Sequence, residues 1–201
     1  MKYTTRDLVT LAVFGTLWGL SEITLGTVLK SLNVPISGVV LAAIGLIVAL
    51  VGRVFVPKRG STLFVGVIAM LLKLFSLGGV IVGPMIGIIT EAVVAELALS
   101  LSGEPRRGTM MLAGSLGVLW VLVQPFVTNP LLFGRTVVDV WLDLLRRGGR
   151  LLGLGEGAVV WILGGMVLMY LAIGAAAGLI SWTLGEQLQG RLGRSDDGEG
   201  A

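Results

Sequence analysis

The stretch GPMIGIITEAVVAELALSL, Gly83 to Leu101, holds enough apolar side chains for a membrane-spanning helix, yet it carries two carboxylates, Glu91 and Glu96. Just upstream, AMLLKLFSL (Ala69 to Leu77) sets Lys73 inside a second apolar run. An ionised side chain at the centre of a spanning helix costs about 2.5–3.5 kcal/mol even on the most lenient insertion scale. Whether these runs meet hydrocarbon is decided by the rest of the chain. Of its 201 residues 55% are hydrophobic and only 13% charged, and the mean hydropathy is +0.95. Soluble domains carry roughly 25% charged residues. The composition predicts an all-α integral membrane protein.

A spanning helix needs about 20 apolar residues. Outward from Gly83, suitable runs occupy about 8–29, 38–56, 62–77, 80–101, 109–127 and 157–184. NVPISG, VPKRGS, SLGG and SGEPRRG separate the first five with Gly, Pro or Asn turn chemistry. Residues 62 to 101 are too many for one span, so SLGG reads as a turn, and the expectation is a six-helix bundle. The basic head and long apolar run at the start fit a retained first helix better than a signal peptide, whose apolar core is about 7–15 residues.

Between the fifth and sixth runs, 131–147 differs. Arg135, Asp139, Asp143 and Arg147 recur every fourth residue, opposite Val137, Val138, Trp141, Leu144 and Leu145. This predicts an amphipathic helix lying in the membrane interface, as a connector or a lid. Residues 188–201 are polar and small, which predicts a disordered cytoplasmic tail. The short basic loops GRVFVPKRG and GEPRRG fall on one side, which places both termini in the cytoplasm by the positive-inside rule.

The chain has no cysteine and no histidine. This excludes disulfides, thiol chemistry, imidazole ligation of zinc or haem, and Ser-His or Cys-His nucleophile pairs. No G-x-x-x-x-G-K-[ST] phosphate loop is present. The basic residues are explained by loops at a membrane, so no nucleic-acid partner is expected.

Depth along each helix, at ~1.5 Å per residue, gathers the buried polar groups. Glu22 falls ~21 Å across from the cytoplasmic side, Lys73 ~17 Å, and Gln124 ~22 Å, while Glu91 lies ~16 Å below the outer surface. Four polar side chains from four helices thus share one slab, from the midplane outward, and form a candidate ligand cavity. The competing reading is a purely structural pairing of Lys73 with Glu91 or Glu22. Trp18 and Trp120 are candidate aromatic walls; Trp161 is another candidate, and packing or interfacial anchoring is the plainer role for each. Glu96, five residues from Glu91, points about 140° away and nearer the cytoplasm, so the two glutamates are not a pair. On helix one, Ala12, Gly15, Thr16 and Gly19 make a flat small-residue stripe that fits internal packing or a partner helix.

Over about Tyr3 to Gln187 the chain resembles the substrate-binding S-component of an energy-coupling factor (ECF) vitamin transporter. The resemblance rests on TTRDLVTLAVFGTLWG and GGVIVGPMIGIITEAVVAELALSLSG. Within that family, GPMIGIITEAVVAE is most similar to the hydroxymethylpyrimidine or thiamine-precursor group. The resemblance implies a prokaryotic plasma-membrane protein that captures a vitamin or related solute in its outward half. It also implies docking on a T-component driven by two ATPase subunits, with Ala12, Gly15, Thr16 and Gly19 mapping to the docking motif. The family's Ala-x-x-x-Ala is not reproduced, since Thr16 stands four residues after Ala12. Nickel and cobalt members use a Met-His metal site, and without histidine no metal or other cofactor is expected. The expected function is solute binding without chemistry. A proton-coupled secondary transporter using Glu91 or Glu22, or a membrane scaffold, is the alternative; an enzyme is the least favoured.

Overall fold

The computed structural model describes residues 2–32, 34, 36–76, 81–155 and 158–198. Among these the secondary structure is helical throughout: α1 (Thr5–Ser31), α2 (Ser37–Phe55), α3 (Ser61–Lys73), α4 (Val82–Ser102), α5 (Arg107–Phe133), α6 (Val137–Leu152) and α7 (Val159–Gly198). Five stretches are long and apolar enough to cross a membrane: Thr5–Leu29, Ser37–Phe55, Val82–Ser102, Arg107–Phe133 and Val159–Arg191.

The sixth expected span is α3, which is only 13 residues long. At ~1.5 Å per residue it extends ~20 Å, short of the ~30 Å hydrocarbon core. Its end comes at Lys73, where Leu74, Phe75 and Ser76 donate to Leu71, Leu72 and Lys73 carbonyls in tight i→i−3 bonds. Hydropathy carried the run on to Leu77 because it does not register that the Lys73 side chain is already committed to α1. Leu77, Val80 and Gly157, the expected ends of three spans, lie outside the described residues, as do Asn33 and Pro35 of one turn and 77–79 of SLGG.

α5 runs six residues past the expected end at 127, with Pro125 and Pro130 inside it. Each proline removes one backbone N–H, which a packed membrane helix tolerates when neighbours satisfy the freed carbonyls. The helix stops at Gly134, in the left-handed region at φ 61°, so 131–133 belong to α5 rather than to the amphipathic helix. α6 starts instead at Val137, capped by Thr136, whose hydroxyl accepts from the Asp139 N–H. The last helix continues to Gly198, into the stretch whose composition predicts a disordered tail; 199–201 are not described. Gln189 Nε2 donates to the Val54 carbonyl at 2.9 Å, tying the α7 extension to the last turn of α2.

α2 is the axis of the bundle, in contact with α1, α3, α4, α5 and α7. Its only charged residue is Arg53, as expected of a helix buried on most sides. On one flank it contributes Leu46, Leu50 and Val54 to a core shared with Leu99 of α4, Met110 and Val118 of α5 and Ile162 and Met166 of α7. On the other, Ala49 joins Leu11 and Trp18 of α1, Val65 and Ala69 of α3, and Ile88 and Ala92 of α4. Glycines bring α5 and α7 backbone to backbone: a side-chain carbon at Gly178 would run into the Met110 carbonyl, and one at Gly174 into that of Gly114. The outer surface is apolar, with Val9, Val13, Leu20, Val160, Trp161 and Leu168 exposed, as suits a lipid-facing perimeter.

Candidate functional site

α1 and α3 end, and α2 and α4 begin, at the same end of the bundle, and a cavity of about 380 Å³ opens between them and α5. Glu22, Lys73, Glu91 and Gln124 all line it. The four polar residues that depth counting placed in one slab are therefore neighbours around one space. Leu41, Ile88, Val121 and Phe133 supply apolar wall, and Ser37 and Asn129 further polar groups.

The charges are not equivalent. Lys73 Nζ donates to the Glu22 carboxylate at 3.3 Å and to the Glu22 backbone carbonyl at 3.0 Å. Both side chains are more than nine-tenths buried. Lys73 thus pairs with Glu22 and not with Glu91. Its position in the last turn of α3 also sets its charge against the negative end of that helix. Gly26, one turn beyond Glu22, leaves room for this: a side-chain carbon there would sit 3.6 Å from Lys73 Nζ. Glu91 is also buried, and its Oε2 makes no hydrogen bond. Gln124 is fixed by its Nε2 donating to the Gly83 carbonyl at 2.9 Å, against the bare backbone of Gly87. With Lys73 and Glu22 paired, Glu91 brings to the cavity lining a buried carboxyl group whose Oε2 has no donor, near a held amide.

Trp18 and Trp120 are not among the lining residues. Trp18 is fully buried, wedged against Gly45 of α2 and within reach of Gly66 of α3; its size suited it to packing between glycines, one turn from Glu22. The small-residue stripe on α1 also resolves into two parts. Gly15 and Gly19 are buried, and a side-chain carbon there would come within 2.6 Å of Ile68 and 2.8 Å of Leu72. These two glycines seat α3 rather than an outside partner. Ala12 is half-buried, and Thr16 is exposed with its hydroxyl donating to the Ala12 carbonyl.

Glu96, left unassigned by its sequence position, binds the opposite end of the bundle together. It accepts from the Gly60 N–H at 2.7 Å, the Thr62 N–H at 3.0 Å and the Ser100 hydroxyl, and pairs with Arg53 Nη1 at 3.3 Å. A carboxylate on α4 therefore caps the N-terminus of α3, which has no side-chain cap of its own. Arg53 stands at the start of the basic stretch GRVFVPKRG, yet it is buried; its place inside the α2 apolar run is the sequence signal for that.

Ser37, Asn129 and Phe133 were not foreseen in the cavity. Asn129 and Phe133 belong to the part of α5 beyond 127, the end expected for the fifth span, and Ser37 is the first residue of α2. Among the described residues no cluster of carboxylates suited to a metal ion occurs.

The fold and cavity define a class: a helical chain with, among the described residues, five stretches able to cross a membrane, and a cavity opening at one end of the bundle and lined in part by buried charged groups. No family model, curated protein or solved structure matches the chain.

Proposed function

We propose that the chain is a solute-binding membrane subunit, the substrate-capture component of an ECF-type importer. The single observation that carries the binding role is the buried Glu91 carboxyl group, which lines a 380 Å³ cavity and has no donor at its Oε2, while the one ammonium of that cavity is already engaged by Glu22. A buried acceptor without a donor costs free energy, and a ligand bearing N–H groups and a single positive charge relieves that cost. Leu41, Ile88, Val121 and Phe133 suit the apolar faces of a small heterocycle, and the volume lies in the range of small-molecule sites. A water-soluble vitamin or thiamine precursor meets these requirements.

In this reading the cavity opens outward and both termini are cytoplasmic, in the plasma membrane of a prokaryote. α3, with Leu74, Phe75 and Ser76 after it, makes the sixth crossing. α6 lies in the outer interface, a placement supported by the exposure of Val137, Val138 and Trp141 while Val140, Leu145, Gly148 and Gly149 are buried. A T-component and two ATPases supply the energy. With Gly15 and Gly19 occupied by α3, docking would use the exposed side of α1 around Thr16.

The test is a thermal-shift screen of the purified chain against cationic, neutral and anionic water-soluble vitamins and precursors. A cationic ligand at about 100 times its Kd stabilises the fold by roughly 2.7 kcal/mol. Glu91→Gln should weaken that ligand while the unliganded melting temperature holds. Unchanged affinity in both Glu91→Gln and Lys73→Met overturns the site. The unpartnered Glu91 also suits a proton-linked carrier, and uptake by the isolated protein in liposomes under a proton gradient would establish that reading instead.

A further inference from the structure

A second cavity, of about 530 Å³, lies at the opposite end of the bundle and is lined by Arg53, Pro57, Arg59, Glu104 and Trp182, with Gln189 closing one side. Arg53 is only 2% exposed. A guanidinium carries five N–H donors, yet Glu96 engages Arg53 through Nη1 alone, and the buried Nε–H has no acceptor. Glu96 also accepts from Gly60, Thr62 and Ser100, so Arg53 shares its one carboxylate partner with three other donors. The cavity therefore holds a buried cation with unspent donors. Arg59, exposed, brings a second guanidinium to the same space.

We propose that this cavity binds a phosphate oxyanion, supplied by the headgroup of an anionic membrane phospholipid. Guanidinium groups match phosphate oxygens with paired N–H bonds, and Arg53 has donors to spare where a lone carboxylate partner leaves them unmet. The site sits where α2 and α4 end, the level of lipid headgroups for helices of spanning length. The half-buried Trp182 is the residue type that favours this level. Basic pockets between membrane helices are known headgroup sites. Glu104 is the one carboxylate in the lining; it is exposed and is followed closely by Arg106 and Arg107. Gln189 spends its Nε2 on the Val54 carbonyl, which holds the α7 wall in place.

The test uses the purified full chain in a neutral detergent, titrated with phosphatidylglycerol, phosphatidylcholine or inorganic phosphate and read by native mass spectrometry and thermal shift. Phosphatidylglycerol should bind and stabilise more than phosphatidylcholine. Arg59→Gln should weaken phosphatidylglycerol about tenfold or more, the loss of a charge-assisted hydrogen bond. Arg6→Gln, at the same end but outside the lining, should cost no more than about fivefold. Inorganic phosphate binding that Arg59→Gln abolishes, without a lipid response, would keep the oxyanion site and overturn its lipid source. Equal responses to the two lipids, or equal losses in Arg59→Gln and Arg6→Gln, would overturn the proposal. Arg53→Lys keeps the charge but loses the fork, and should weaken binding if the variant folds; Arg59→Gln decides the matter if it does not.

Discussion

Three buried glutamates on this chain do three different things because their neighbours differ. Glu22 neutralises Lys73, Glu96 caps α3 and pairs with Arg53, and Glu91 keeps one oxygen without a donor. Removing one member of a buried pair costs more than the pair contributes, because the other charge is left alone. Glu96→Ala should therefore destabilise by about 3–5 kcal/mol, seen as a large fall in melting temperature. Combining it with Arg53→Met should cost less than the two single losses together, since the pair is coupled. Lys73→Met should lower stability, because it removes the ammonium that the buried Glu22 carboxylate holds. Glu91→Gln should lower affinity alone. That split between stability and affinity is the residue-level signature that separates a structural pair from a binding group.

At the scale of elements, α1 and α3 meet across Gly15 and Gly19, and α5 and α7 across Gly114, Gly174 and Gly178. Gly15→Ala puts a methyl against Ile68, and overpacking of this kind typically costs about 1–3 kcal/mol. Thr16→Val on the exposed face should stay within about 0.5 kcal/mol. Equal melting temperatures for these two variants would contradict the α1–α3 contact. α6 depends on its cap. The Thr136 hydroxyl and then the Thr136 N–H donate to the Asp139 carboxylate and hold it below the usual carboxylate range. Since the folded value lies below the unfolded one, the contribution is fully present at neutral pH and is lost as pH falls through the depressed value. Hydrogen exchange along α6 should thus quicken in acid, relative to intrinsic rates, and Asp139→Asn should remove that pH dependence.

For the whole molecule, the absence of cysteine makes topology directly testable. Single cysteines at Arg146 on α6 and at Glu104 between α4 and α5 lie at opposite ends of the bundle. In intact cells a membrane-impermeant maleimide should label Arg146→Cys and spare Glu104→Cys; the reverse pattern would invert the proposed orientation. Helical class, most of the apolar elements and the grouping of Glu22, Lys73, Glu91 and Gln124 were legible in the chain itself. Hydropathy and a fixed rise per residue carry that information without any knowledge of neighbours. The ends of elements were less legible, because a helix end depends on what satisfies it. α5 passes two prolines, and α3 stops at a lysine whose partner is on another helix. Partner choice was not legible at all. Lys73 stood at similar depth to two glutamates, and depth does not say which way a side chain points. The packing of α1 on α3 turns Lys73 to Glu22 and leaves Glu91 to the cavity, and the same packing takes Gly15 and Gly19 inside. Hydropathy and depth thus determined which polar groups share a level. Rotation of each helix about its axis, set only when side chains interlock, decided what each buried group meets.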